Sequence, residues 1–264
     1  MKKKRKQIVV IILVGIILFS VSAKPVHVHA SDFCDLEKIL LRVETKSPIA
    51  KIEKQENRLQ KILDNINEKD GFTEEELAKI SEVAAIETNT LVEDNMEITE
   101  YVLEPKEELA IINREDGSKE YVNRKIVYSM VKDVGTTSST ATINKVYFKT
   151  ELTYFHFNAG KKGHNYVKLI QTDCRINSGY ANLSTLQAVY NASGTQYNED
   201  AKEVKVGGSE SGAARIHNVN GNGLYSYQTT TKYYYNLVAS NSVIKVTMKL
   251  KFKTGTVKTY NIKI

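Results

Sequence analysis

The chain has 264 residues, of which 41% are hydrophobic and 26% are charged, and its formal net charge is +6. This balance excludes an intrinsically disordered chain, and a content of two cysteines excludes a small scaffold held together by many disulfides. The length is sufficient for a hydrophobic core that needs no metal or disulfide for stability.

The first thirty residues have the pattern of a secretory signal peptide. Basic residues at 2–6 precede an unbroken apolar run over 8–19, and small residues allow cleavage after Ala23 or after Ala30. The run is shorter than the roughly twenty residues that a spanning helix needs, so an uncleaved membrane anchor is the less favoured alternative. We therefore expect a secreted protein that acts at the cell surface or in the extracellular medium.

The charges behind this leader are divided unequally. Residues 31–105 carry 19 Asp or Glu against 9 Lys or Arg, whereas residues 106–264 carry 12 against 22. We therefore predict a signal peptide over 1–30, an acidic helical region over 31–105, and a basic, tyrosine-rich β-domain over 106–264. The predicted fold class is α+β, in which an acidic helical hairpin precedes a mainly antiparallel β-sandwich or barrel-like domain.

Two helices are predicted in the acidic region. Ser47 and Pro48 resemble an N-cap and a first helical position, and apolar residues then recur at helical spacing until Gly71. Thr73 and Glu76 have the spacing of a capping box that begins a second helix. The turn between the helices has Glu76 at the twelfth position of an EF-hand loop, but its glycine comes one residue late, Lys69 occupies a ligand position and Asn65 replaces the first aspartate, so no metal is expected there.

The pattern after Pro105 is that of β-strands. Asp116 and Gly117 are a hairpin signal between strands predicted at 109–113 and 121–131. Further strands are predicted at 143–157, 165–176, 183–191, 202–206 and 224–238, and in a final hairpin over 243–264. The alternating, threonine- and serine-rich segment at 133–148 also leaves open an inserting hairpin of a β-pore former.

No catalytic constellation is recognisable in the sequence. Glycines and serines at 207–212 resemble a nucleophile turn, but Glu210 occupies the central position that the motif reserves for serine, so we predict a flexible surface loop. The carboxylates available for glycoside cleavage do not form an evident pair; they are Glu151, Asp173, Glu203 and Glu210. No enzyme activity, catalytic residue, metal, cofactor or nucleic-acid partner is therefore predicted.

The tyrosines have two interpretations. All fifteen lie at or after Tyr101, and alternate positions along 225–237 are mostly tyrosine or threonine. Tyrosine favours strands and packs across them, so a structural role is the simpler interpretation. The alternative is an exposed platform on which sugar rings stack.

The two cysteines also leave two alternatives. A disulfide between Cys34 and Cys174 is permitted in an exported chain and would tie the mature N-terminus to the β-domain. Cys174 shares the alternation of Ile170 and Ile176, which indicates a core position, so two buried free thiols are the other interpretation.

The C-terminal segment has the most informative pattern of the chain. Apolar residues alternate with lysine and threonine along 244–253, and Gly255 separates this run from a second one. The pattern predicts a hairpin with one apolar face and one cationic face. The predicted anion-binding residues are Lys245, Lys249, Lys251, Lys253 and Lys258.

Three explanations of these lysines compete. They protect a sheet edge from pairing, they bind an anionic cell-wall polymer or membrane surface, or they receive the acidic helical region of the same chain as an intramolecular pro-region. The function expected first is that of a secreted, non-enzymatic binding or interaction protein of the cell envelope, with a cationic β-face for anionic polymers or lipids. The alternative is a secreted membrane-active protein, β-pore-forming or antimicrobial, with an acidic helical pro-region.

Overall fold

A computed structural model describes residue 39 and residues 48–66, 71–93, 96–133, 145–157, 164–238 and 241–264. This part of the chain is mostly antiparallel β-sheet with few helices. The predicted signal peptide, Cys34 and residues 134–144 lie outside the described residues. Among the helices in the described ranges, none combines the length and the apolar character needed to cross a bilayer.

Strands predominate along the described chain, and its α-helices lie near the start. The first part contains β1 (Ile49–Lys54), α1 (Arg58–Leu63), α2 (Glu74–Val83), β2 (Ala84–Glu93), β3 (Met96–Pro105), β4 (Ala110–Arg114) and β5 (Lys119–Asp133). The middle contains β6 (Lys145–Phe157), β7 (Tyr166–Ser178), a 3-10 turn (Tyr180–Asn182), β8 (Leu183–Tyr197) and β9 (Glu203–Ala213). The last part contains β10 (His217–Asn218), β11 (Gly223–Tyr227), β12 (Tyr234–Asn236), β13 (Val243–Phe252) and β14 (Val257–Lys263).

Antiparallel pairing joins the described strands into one sheet. Its main path is β1-β4-β5-β6-β7-β12-β8-β13-β14. Strand β3 pairs with β2 and β5, strand β11 pairs with β7, and strands β9 and β10 pair with β8. The short strand β12 pairs with the edges of both β7 and β8. It is therefore the corner at which the sheet folds over on itself.

The main core lies between the two halves of this folded sheet. Phe148, Leu152 and Cys174 of β6 and β7 belong to the same buried cluster as Val246 and Met248 of β13. Alternate residues of each strand point to one face, so each of these strands contributes every second side chain to the core. The result is a sandwich-like arrangement in which β5, β6 and β7 face β8, β13 and β14.

The helices cover the other face of the first half. A cluster distinct from the main core joins apolar residues of α1 and α2 to residues of β3, β5 and β6. Its fully buried members include Leu63, Ile80, Leu103, Ile126 and Tyr128. Strands β5 and β6 are therefore buried on both faces, one by the opposite half of the sheet and one by the helices.

The first predicted helix is much shorter than expected. Residues 49–54 are strand β1 and pair with β4, so tertiary pairing determines their structure rather than the helical spacing of Ile49 and Ile52. Asn57 caps α1, because its side-chain oxygen accepts a hydrogen bond from the Gln60 amide at 3.0 Å. Ser47, the predicted cap, lies outside the described residues.

The second predicted helix begins where expected. The Thr73 hydroxyl accepts a hydrogen bond from the Glu76 amide, and the Glu76 carboxylate accepts one from the Thr73 amide, which confirms the capping box. The helix ends at Val83, and the chain continues directly as β2. The region 31–105 is predicted to be helical. In the structure it also supplies strands β1, β2 and β3.

The strand predictions after Pro105 agree with the structure for β4 to β8 and for the final hairpin. Two segments differ. The predicted loop at 207–212 is part of β9 and pairs with β8. The single strand predicted at 224–238 is divided into β11 and β12, with buried Thr229 and Thr231 between them.

Candidate functional site

Strand β13 has one buried face and one open face, as its alternation predicts. The five apolar residues of one face are at most 2% exposed; they are Ile244, Val246, Met248, Leu250 and Phe252. Between them, Lys245 is half-buried, whereas Lys249 and Lys251 are exposed. The apolar side chains pack into the main core, so the backbone of β13 fixes where the three lysines point.

The strands on both sides of β13 continue its open face. Lys245 lies opposite Lys263 of β14, and Lys249 lies opposite Thr259. On the other side, the partners of Lys245, Lys249 and Lys251 on β8 are Asn191, Gln187 and Thr185. Directly opposed residues of an antiparallel pair share one face. We call the open face formed by Lys245, Lys249, Lys251 and Lys263 the cationic face.

Two predicted binding residues do not belong to the cationic face. Lys258 lies opposite Leu250, so its side chain is on the same side as Tyr260 and Ile262, and it is half-buried. Lys253 is exposed in the turn after β13, where its amide donates to the Asn182 carbonyl at 2.9 Å. The alternation of β14 itself indicates Lys263, rather than Lys258, as the lysine of this strand at the cationic face.

In the part of the chain that the structure describes, the strands of the cationic face carry no carboxylate side chains: β8, β13 and β14 contain no Asp or Glu. Within the described ranges, the ion pairs of lysines are elsewhere, for example between Lys61 and Glu56 and between Lys79 and Glu75. The directly opposed pair Lys245 and Lys263 is repulsive and costs stability. An anion bound across these strands would relieve that repulsion.

The described helices lie against a different surface. The buried residues of α1 and α2 pack with Leu103, Ile126 and Tyr147 on the outer side of β3, β5 and β6. The cationic face is the outer side of β13 and its neighbours β8 and β14. The predicted docking of the acidic region 31–105 onto the lysines of the cationic face is not tested by these contacts and stays a prediction.

A second group of charged residues is buried beneath α1. The Arg124 Nη1 atom lies 3.8 Å from the Glu151 Oε1 atom, and both side chains are at most 2% exposed. Arg124 also donates to the Asn57 side chain and, at 3.3 Å, to the Gln60 side chain. Neither carboxylate oxygen of Glu151 has a hydrogen-bond donor in the described part of the chain. The contacts of Arg124 indicate that this pair attaches α1 to the sheet.

No family model, curated protein or solved structure matches the chain. Its function therefore has to be inferred from the chemistry of its own surfaces. Within the described ranges there is no group of three or more His, Cys, Asp or Glu that could hold a metal ion. Among the described residues, the cationic face brings four lysines together on one side of the sheet, and three of them are exposed.

Three tyrosines of the alternating segment are core residues. Tyr227, Tyr234 and Tyr235 are buried. Tyr234 donates a hydrogen bond to Glu120, and Tyr235 donates one to Glu210 Oε1 at 3.0 Å. Burial, followed by the nearby Glu120 charge, raises the pKa of Tyr234 well above its usual value. Tyr234 and Tyr235 stabilise the corner at β12, Tyr227 is buried at the end of β11, and none of the three is available as a stacking platform.

Cys174 is fully buried in the main core and forms no disulfide within the described residues. The Thr150 hydroxyl contacts its thiol, with an Oγ1 to Sγ distance of 3.8 Å. Burial raises the pKa of the thiol to about 12, so almost no thiolate is present at neutral pH. Because Cys34 lies outside the described residues, the disulfide between the two cysteines stays a prediction.

We expect Cys174 to be unreactive until the protein unfolds. In a Cys34→Ser variant, Ellman's reagent at pH 8 should detect no thiol in the native protein and one thiol after addition of guanidinium chloride. Rapid modification of the native variant would contradict the burial of Cys174. The mature wild-type protein, unfolded without reductant, should show no thiol if the disulfide forms and two if it does not.

Proposed function

We propose that this is a secreted, non-enzymatic binding protein that uses its cationic face to hold an anionic polymer or lipid surface of the cell envelope. The observation that supports the proposal is the alignment of four lysines over strands that contain no carboxylate. A concentrated, unbalanced charge on a rigid surface attracts ligands of the opposite sign.

The position of the lysines argues against simple edge protection. Lysines that discourage aggregation belong on strands at the edge of a sheet. Strand β13 is paired on both sides, with β8 and with β14, yet it carries Lys245, Lys249 and Lys251. Edge protection therefore explains Lys263 of β14 but does not explain the other three.

The spacing of the lysines suits a repeating anion. Lys249 and Lys251 are two residues apart on one strand, which separates their Cα atoms by about 7 Å. Neutral hydrogen-bonding side chains surround them, including Thr247, Thr259 and Gln187. Phosphate groups of a polymer or of lipid headgroups can contact the ammonium groups, while the neutral side chains bond the remaining oxygens.

Binding should depend on these lysines and on salt. We expect the double variant Lys249→Gln and Lys251→Gln to bind long-chain polyphosphate and phosphatidylglycerol vesicles about thirtyfold more weakly, because each lysine near an anionic surface contributes about 1 kcal/mol. Co-sedimentation and fluorescence anisotropy at two salt concentrations measure this effect. The salt dependence should also decrease in the variant.

A matched control separates the cationic face from net charge. Lys202 and Lys205 are exposed and lie near the start of β9, so Lys202→Gln with Lys205→Gln changes the net charge equally at another surface. Its binding should resemble wild type. Equal losses in both double variants would contradict the proposal. Release of a dye trapped in the vesicles would instead favour the membrane-active alternative.

A further inference from the structure

Strand β2 is a long and open sheet edge. It pairs with β3 over ten residues without a register shift, and it has no second strand partner in the described part of the chain. Large apolar side chains near its end are exposed: Leu91 by 50% and Val92 by 71%. Such an edge presents a row of backbone donors and acceptors to another strand.

Three other edge strands carry lysines or register shifts that discourage pairing, whereas β2 has a regular register and its only charged residues are Glu87 and Glu93. Strand β1 has Lys51 and Lys54 and a register shift against β4. Strand β14 has Lys258 and Lys263, and the pairing of β9 with β8 is interrupted by register shifts. Strand β2 contains neither lysine nor proline. The contrast indicates that the edge of β2 is kept available.

The sequence of β2 is nearly symmetric about Asn89. Thr88 and Thr90 are equally distant from it on the two sides, and so are Ile86 and Val92. These four residues lie on one face of the sheet, since their partners on β3 are alternate residues. Two antiparallel copies centred on Asn89 would therefore place threonine against threonine and Ile86 against Val92.

We propose that two copies of this chain associate by antiparallel pairing of β2 with β2 around a two-fold axis at Asn89. The interface is isologous, as expected for a closed dimer. In this register Glu87 lies opposite Leu91 of the other copy, and no glutamate of β2 lies directly opposite another. The charges are therefore compatible, because like charges directly opposed across strands are destabilising.

The surface area buried between the two β2 strands limits the affinity of the dimer. A single pair of ten-residue strands buries less than the about 1,200 Å² that marks stable protein interfaces. The association is thus weak and dependent on concentration. Analytical ultracentrifugation of the mature wild-type protein should show a monomer at low concentration and a dimer at high concentration.

Charged side chains introduced at positions 88 and 90 test the register of the dimer. We expect the variant Thr88→Lys with Thr90→Lys, and the variant Thr88→Glu with Thr90→Glu, each to remain monomeric, because like charges would face each other. An equimolar mixture should form a heterodimer. The control variant Ser209→Lys with Ser211→Lys introduces the same charges on the edge strand β9. It should dimerise as strongly as the wild-type protein.

A cross-link provides a second readout that does not depend on charge. In a Cys34→Ser background, Asn89→Cys should form a covalent dimer on mild oxidation, since residue 89 meets its own copy, whereas Glu87→Cys should not. A monomeric wild-type protein throughout the concentration series would overturn the proposal. A mixture of the charged variants that fails to associate, or equal cross-linking of both cysteine variants, would also overturn it.

Discussion

Replacing Gly194 with alanine is expected to lower the free energy of unfolding by about 3 kcal/mol, through backbone strain and steric overlap. Gly194 has a φ of +128°, a conformation that residues with a side chain rarely adopt. An ideal Cβ atom at this position would lie 2.7 Å from the Ser242 Cα atom. Because that atom is backbone, no side-chain rotation relieves the overlap. The strain would act where β8 leaves β13 and approaches β12.

Gly221 is a suitable control for this substitution. An ideal Cβ atom there meets no atom within 4 Å, and its φ is not in the positive range. Gly221→Ala should therefore change the unfolding free energy by no more than about 0.5 kcal/mol. Urea unfolding followed by circular dichroism measures both variants. Similar values for the two would show that the approach of Ser242 does not constrain residue 194.

Replacing Arg124 with methionine should have the other large effect, a loss of about 3–5 kcal/mol of stability. The substitution removes the cation that lies 3.8 Å from the fully buried Glu151 carboxylate, whose two oxygens have no hydrogen-bond donor in the described part of the chain. It also removes the hydrogen bonds to Asn57 and Gln60. The lower stability should therefore be accompanied by faster hydrogen exchange in α1.

A double substitution distinguishes these contributions. Adding Glu151→Leu to Arg124→Met should recover a large part of the lost stability, because the buried charge that lacks a partner is then absent. Lys125→Met is the control on the same strand, since Lys125 pairs with the largely exposed Glu104. That control should cost at most about 1 kcal/mol. If the double variant is as unstable as Arg124→Met alone, the charge of Glu151 is not the cause.

The final hairpin could be predicted because its alternation has a simple physical origin. One face of β13 is buried and the other is open, so apolar residues and lysines occupy opposite phases. Applying the same alternation to β14 puts Lys263 on the open face and Lys258 with Tyr260, as observed. Lys258 therefore lies on the apolar phase of β14, as the sequence alternation also indicates, and its role in anion binding stays a prediction.

The buried charges could not be predicted from alternation. A strand with apolar residues on one phase is expected to expose its other phase, so Arg124, Lys149 and Glu151 would be placed in solvent. In the structure they are buried, and the helices pack on the same side of β5 and β6. A single sequence does not show that a second layer covers this face. The aromatic residues Tyr147 and Phe155, on the same phase as Glu151, are the hint that the sequence offers.

The glycines of strand β9 predict a loop, and the structure shows why that prediction is wrong. An ideal Cβ atom on Gly208 would lie 2.4 Å from the Gln196 side chain, and one on Gly212 would lie 2.4 Å from the Tyr190 ring. The glycines thus make room for large side chains of the neighbouring strand β8. This reason depends on which strands are neighbours, and local sequence does not specify that.

The buried face and the open face of β13 together restrict which sequence changes this strand can accept during evolution. Lysines on the open phase can be exchanged singly without disturbing the packed interior. An insertion or deletion of one residue within Val243–Phe252 would instead reverse every later side chain, turning amines inward and aliphatic groups outward. Length variation should therefore be confined to the turn around Gly255, whereas the strand itself should vary by substitution alone.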